Sequence, residues 1–402
     1  MKWNANRVAL VLCFWAAQTF AAEGHIDSKL LDQLEWRSIG PAVMGGRIAD
    51  IDAVPGDPTT VFVATGSGGL FRTLDGGMTW TALFERQATL SIGAIAVQAG
   101  DPEVIWVGTG ESNVRNSVSF GDGVYKSSDG GASWTRVGLE NTETISRIVI
   151  NPANPNNVFV AALGHPFGPN PDRGIFVTED GGRTWHKTLS IDEDHGAADV
   201  EIDPSNPKIV YAGMWHFDRK PWTYTSGSEK GGVFQSLDGG VTWKKLTNGL
   251  PKLMGRIGVK VAPSNPNVVY VIAESKEGTL FRSEDKGASF VRVSDDRELI
   301  GRGYYFSDMR VASDDVDHVM VLADALLESK DGGKRFRRSS PSVHGDLHAL
   351  WIDPKNPRRM WQGNDGGLAV TYDGGLHWEQ INNIPLGSST ASPPMTGGPS
   401  II

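Results

Sequence analysis

Thr73-Leu74-Asp75-Gly76-Gly77-Met78-Thr79-Trp80 decides the fold, because the chain repeats it. The octapeptide returns as SSDGGASW at 127–134, TEDGGRTW at 178–185 and SLDGGVTW at 236–243. Looser copies are SEDKGASF at 283–290, SKDGGKRF at 329–336 and YDGGLHW after Thr371. The seven aspartates are Asp75, Asp129, Asp180, Asp238, Asp285, Asp331 and Asp373, spaced 54, 51, 58, 47, 46 and 42 residues apart. Each carboxylate can accept hydrogen bonds from the N–H groups of its own turn. The glycines supply the positive φ such a turn needs. The aromatic residue that follows starts the next strand and fills space between units. These aspartates therefore read as structural and not as catalytic acids.

A second signal shares the period. Asp-Pro or Asn-Pro turns precede β-branched runs in DPTTVFVA (57–64), DPEVIWVG (101–108), NPNNVFVA (154–161), NPKIVYAG (206–213), NPNVVYVI (265–272) and NPRRMWQG (356–363), with a degenerate copy at 314–322. Each unit then holds four strands; in the first they are A at 47–53, B at 60–64, C at 69–74 and D at 79–84. Four strands every 42 to 58 residues predict an all-β, seven-bladed propeller over 35–386. A β-helix has a much shorter repeat. With 49 Gly and 22 Pro among 402 residues, the composition opposes helical bundles and coiled coils. Trp36 to Gly40 resembles an outer D strand, so eight such strands are offered to seven blades and ring closure stays open. Residues 387–402 (GSSTASPPMTGGPSII) read as a disordered, low-complexity tail.

The first 22 residues predict a cleaved signal peptide: Lys2 and Arg7, the apolar run Val8 to Ala17, then small residues before a cut. Residues 23–34 form a linker. Cleavage removes Cys13, the only cysteine, and takes the formal charge from −9 to −11. So acidic a chain is unsuited to nonspecific nucleic-acid binding, and no segment reads as a membrane span. A secreted or periplasmic location is expected.

These segments resemble the secreted BNR/Asp-box repeat proteins, glycosyl-hydrolase-like and sortilin-N-terminal-like, from about Trp36 to Leu386. GGRIADI (45–51), GTGESNVRNS (108–117), HGDLHALWIDP (344–354) and GNDGGLAVTYDGG (363–375) carry the resemblance most specifically. It implies a chain truncated to a first propeller, with a second propeller or a partner chain as the missing half. Xyloglucan-cleaving relatives have a catalytic Asp in a T-D-x-G-G segment of the first blade. Here that segment is Thr65-Gly66-Ser67-Gly68-Gly69, with Gly66 in the Asp position.

The B–C and D–A loops share one face, opposite the aspartate turns. That face carries the long loops 109–123, 163–174, 214–232, 295–305 and 341–348, and long loops on a rigid scaffold are where binding resides. His344, Asp346 and His348 alternate; in an extended strand they would converge, which suits one divalent metal with Asp365 as a fourth ligand, or a hydrogen-bonded cluster. No cofactor is required. Arg47, Arg147 and Arg256 each precede Ile near an A strand and can point into the channel as a carboxylate clamp or as repeated salt bridges. Sialidases use an arginine triad this way, but their Arg-Ile-Pro motif is missing. Glu111, Asp218, Asp346 and Asp365 are the carboxylates available for acid–base work. Arg115, His165, His216, Trp222 and Tyr224 complete the ligand-binding candidates. No phosphate loop or nucleophile elbow is present. The leading expectation is a glycan or polypeptide ligand on the long-loop face. A glycoside hydrolase using two carboxylates and a protein-binding scaffold are the alternatives.

Overall fold

The computed structural model describes residues 46–115, 118–340 and 342–386. The signal peptide, the linker, the Trp36–Gly40 strand and the tail at 387–402 lie outside them.

Seven antiparallel sheets follow one another along the chain. Their inner strands are Ile48–Ala53, Ile92–Val97, Ile145–Ile150, His195–Ile202, Ile257–Val261, Asp308–Val311 and Leu347–Ile352. Each inner strand packs beside the next, and the last returns to the first, so the ring closes as a seven-bladed β-propeller. The only helical element among the described residues is a 3-10 turn at Arg297–Ile300.

Blade 1 shows why the sequence folds this way. Its strands are Ile48–Ala53, Val61–Thr65, Leu70–Thr73 and Thr81–Ala82. The middle strand is buried along its whole length and reads as an unbroken apolar run. The outer strand is only two residues long, shorter than the span 79–84 expected, because Asp75 holds Thr79 within the turn. Thr79 N and Thr79 Oγ1 donate to Asp75 at 2.8 and 2.6 Å, and Gly77 N donates to Thr73 Oγ1 at 2.8 Å. The same bonds recur at Asp129, Asp180 and Asp238. All seven aspartates are held below their ordinary range by the hydroxyls and N–H groups of their own turns, so none donates a proton at neutral pH.

The turns also join the blades. Gly182 has φ +96°, and a Cβ there would lie 3.1 Å from buried Trp106 of the preceding blade. Gly77 meets Trp361 at the seam in the same way, and Gly240 meets Phe159. The seam needs no borrowed strand: blade 7 has its own outer strand, Glu379–Ile381. Ile48, Val63, Trp361 and Leu368 form one core across it. Asn383 Nδ2 donates to the carbonyls of Gly77 and Met78 in blade 1 at 3.0 and 2.8 Å.

Blade 4 departs from the repeat. The segment 214–232, expected as a loop, begins as a continuation of the strand Val210–Lys220, which pairs with Thr223–Ser226 in a raised hairpin. Trp215 and Phe217 are buried against Val114, Val118 and Leu163, and that packing supports the extension.

Candidate functional site

The long-loop face surrounds one mouth of the central channel, where five side chains from four blades meet. Arg47 precedes the inner strand of blade 1, and Glu111 follows the second strand of blade 2. Tyr305 lies on the loop entering blade 6. His348 and Asp365 belong to blade 7. Arg47 Nε stands 2.6 Å from Glu111 Oε1 and 4.0 Å from Asp365 Oδ1. Arg47 Nη1 donates to Tyr305 Oη at 2.8 Å, and Tyr305 Oη lies 3.2 Å from both Asp365 oxygens. His348 Nε2 lies 2.9 Å from Asp365 Oδ1.

The environments drive the two carboxyl groups apart. Glu111 is buried, with 1% of its side chain exposed. Burial raises its pKa to about 7, against the opposing charges of Arg47 and Arg115. Asp365 has 25% of its side chain exposed. Burial would raise it too, but hydrogen bonds from His348 and Tyr305 and the charge of Arg47 hold it below its usual value. Burial pushes His348 down to about 4, so at neutral pH its Nε2–H donates to ionised Asp365. Tyr305 is pushed up to about 12, chiefly by burial. Asp365 is therefore a fixed, reachable acceptor, and Glu111 is a covered group that can hold a proton. A Cβ on Gly66 would lie 3.2 Å from Glu111 Cδ and 3.3 Å from Arg47 Nε, so this ion pair already fills the space beside Gly66.

Other expected groupings do not assemble. His344, Asp346 and His348 fail to converge because Asp346 has φ +56° and the strand begins only at Leu347, so the alternation never applies. His344 is exposed and bonded to the Gly345 carbonyl, while Asp346 pairs with Arg302 at 3.3 Å. Among the described residues, no group of three or more His, Cys, Asp and Glu side chains is placed to hold a metal ion.

The arginines form no common clamp either. The register of blade 3 shifts just before Arg147. It reaches down the channel to Asp199 and Asp308 at 3.0 and 2.7 Å. Buried Arg256 donates to Asn113 Oδ1 and to the carbonyls of Tyr304 and Tyr305. With these groups inside, the channel narrows below this mouth to about 20 Å³, near the volume one water centre needs, and widens again toward the opposite end into a cavity of about 370 Å³ lined by Asp50, Asp52, Arg147, Arg310 and Trp351. A ligand on the long-loop face therefore meets the rim and does not thread the ring.

Among the remaining candidates, Arg115 is exposed, and His165 lends its carbonyl to Asn170 and Arg173. Asp218 stands 3.5 Å from Lys220 on the raised hairpin. His216 lies beside His195, with ring centroids 5.2 Å apart, and burial lowers its pKa. Trp222 and Tyr224 belong with a groove. Trp222 is 81% exposed at the hairpin turn. Tyr224 packs on Tyr304 with centroids 4.7 Å apart, and the Arg219 guanidinium lies 5.6 and 5.9 Å from the two rings. The groove has a volume of about 380 Å³ and is lined by Tyr224, Tyr304, Ser226, Glu274, Lys276 and Arg302 among others. The sequence puts Tyr304 and Tyr305 on this face, within the long loop 295–305, but gives them no role, and it leaves Glu274 out, since nothing in the spacing links these residues to Arg47 or to Tyr224.

The comparisons agree with this architecture. The family model for Sortilin-Vps10 (sortilin, neurotensin receptor 3) matches residues 122–230. A xyloglucanase of Paenibacillus sp is 27% identical over 298 residues, which is 71% of this chain and 24% of that protein. An oligoxyloglucan-reducing end-specific xyloglucanase of Emericella nidulans is 23% identical over 378 residues, 86% of this chain and 42% of that one. The chain thus spans less than half the length of these relatives. An ancestral GH74 enzyme superposes with a TM-score of 0.62 at 18% identity, over 86% of this chain and 48% of that one. YCF48 bound to D1 peptide superposes with a TM-score of 0.55 at 15% identity, over 85% and 98%. The structural likenesses carry the fold, a β-propeller, and in sequence the chain is similar to the Sortilin-Vps10 family over residues 122–230 and to the two xyloglucanases over most of its length.

Proposed function

We propose that the protein is exported and binds a glycan chain of the xyloglucan type across its long-loop face. The carrying observation is the groove beside the raised hairpin. Two tyrosine faces stand next to Ser226, Glu274, Lys276 and Arg302, and an exposed tryptophan marks the hairpin turn. Sugar rings offer apolar C–H faces and a rim of hydroxyls, and aromatic side chains among polar groups match both. The matched xyloglucanases supply the glycan class.

A second reading is supported by the channel mouth. A carboxyl group that titrates near neutrality and an ionised one around a single arginine are the ingredients of acid–base glycoside cleavage. Glu111 is covered in this structure, so binding stands ahead of turnover. Incubation of the protein with bead-immobilised polysaccharides, xyloglucan among them, with reducing ends assayed in the same tubes, separates the two. Retention on xyloglucan without new reducing ends is expected. Reducing ends that vanish in a folded Asp365→Asn variant would make the second reading the right one, and neither retention nor new reducing ends on any glycan would end both.

A further inference from the structure

Blade 4 holds a side-chain relay that the glycan groove does not use. His195 opens the inner strand of that blade and is buried. Its Nδ1 lies 2.5 Å from Asp192 Oδ1, and its Nε2 lies 2.5 Å from Ser228 Oγ. Asp192 is itself fixed, accepting from Lys230 Nζ at 2.9 Å and from Asp194 N at 3.0 Å. Burial opposes its ionisation, but the hydrogen bonds from His195 and Lys230 hold it below the usual carboxylate range.

The hydrogen bonds then assign the protons. An ionised carboxylate only accepts, so His195 Nδ1 carries the hydrogen and donates to Asp192. The lone pair is left on Nε2, and the Ser228 hydroxyl donates to it. Ser228 Oγ in turn faces two backbone donors, Lys230 N at 3.2 Å and Gly231 N at 3.1 Å. Those two donors fix the oxygen in place while its proton is directed at Nε2. Ser228 is half-buried and its neighbours Glu229 and Lys230 are exposed, so the serine end of the relay lies near the protein surface. Nucleophile, base and orienting acid are recognised by such geometry and not by sequence position or fold.

We propose that Ser228, His195 and Asp192 form an acyl-transfer site that takes the acyl group of a small ester. Ser228 Oγ attacks the carbonyl carbon while its proton passes to His195 Nε2. The tetrahedral adduct collapses by breaking the bond to the alcohol oxygen, which leaves with the proton from Nε2. Water then attacks the acyl-serine as Nε2 takes its proton. The carboxylic acid departs, and the proton returns to Ser228 Oγ. No oxidant, reductant or further reactant is needed. Asp192 holds the imidazole in the working tautomer, as a positioning residue.

A cluster that merely pins the loop would keep these distances and be unreactive. The test treats the full chain with a fluorophosphonate probe and locates any adduct by peptide mass spectrometry. One adduct is expected, on the peptide that carries Ser228. His195→Gln slows its formation by at least ~100-fold, and Asp192→Asn also slows it, with melting temperatures close to the parent. Hydrolysis of p-nitrophenyl acetate follows the same order, while xyloglucan retention is unchanged in Ser228→Ala. The first arm needs no variant, so a misfolded substitution does not blunt it. No adduct on Ser228, or an adduct that forms equally fast in His195→Gln, would overturn the proposal.

Discussion

At the scale of single residues, Glu111 carries the clearest consequence. Its pKa is raised from 4.5 to about 7 by burial, so the folded state holds its proton more tightly than the unfolded chain does. The stability this contributes is fully present below 4.5 and is lost as pH rises through about 7. The amount is on the order of 3 kcal/mol, already net of the opposing attraction of Arg47. His348 has the opposite sign: its pKa falls to about 4, so its contribution is present above its ordinary 6.5 and is lost as pH falls toward 4. Urea unfolding of the parent and Glu111→Gln between pH 5 and 7 isolates the Glu111 part. The parent should lose stability relative to the variant across that window, and parallel curves would contradict the assignment. Little of this cluster was legible beforehand. Arg47, Glu111, His348 and Asp365 stood among the candidates, but no spacing joins positions so far apart in the chain. His344-x-Asp346-x-His348 is the sharper signal in the sequence, because alternating side chains converge in an extended strand, and one residue at positive φ, Asp346, removes that alternation.

At the scale of elements, the aspartate turn links local sequence to blade packing. Asp75→Ala removes the acceptor for Thr73, Thr79 N and Thr79 Oγ1, and calorimetry should show a lower melting temperature. Gly182→Ala faces positive φ and buried Trp106 together, so it should cost at least ~1 kcal/mol. A neutral result in urea would show that the blade gives way there. The repeat was readable because turn chemistry and strand periodicity coincide in every copy. The raised hairpin of blade 4 was not, because its support comes from Val114, Val118 and Leu163, which sequence distance hides. The short outer strand had the same kind of cause, since hydrogen bonds inside the turn hold residues that periodicity assigned to the sheet.

At the scale of the whole molecule, closure and the binding face are the two claims. The seam is sealed by side chains from blades 1 and 7, with Trp361 fully buried among them. Trp361→Ala should therefore cost ~3–5 kcal/mol in equilibrium unfolding, a whole-ring effect from one seam residue. The constriction below the long-loop mouth keeps a ligand on that face from threading the ring, and the Tyr224–Tyr304 groove gives that face an aromatic-walled cavity of about 380 Å³. Calorimetric titration of the parent and Tyr304→Ala with xyloglucan oligosaccharides tests that assignment most directly. Saturable binding by the parent, weakened about tenfold in the variant, is the predicted result. No binding by the folded parent, or equal affinity in the variant, would contradict it.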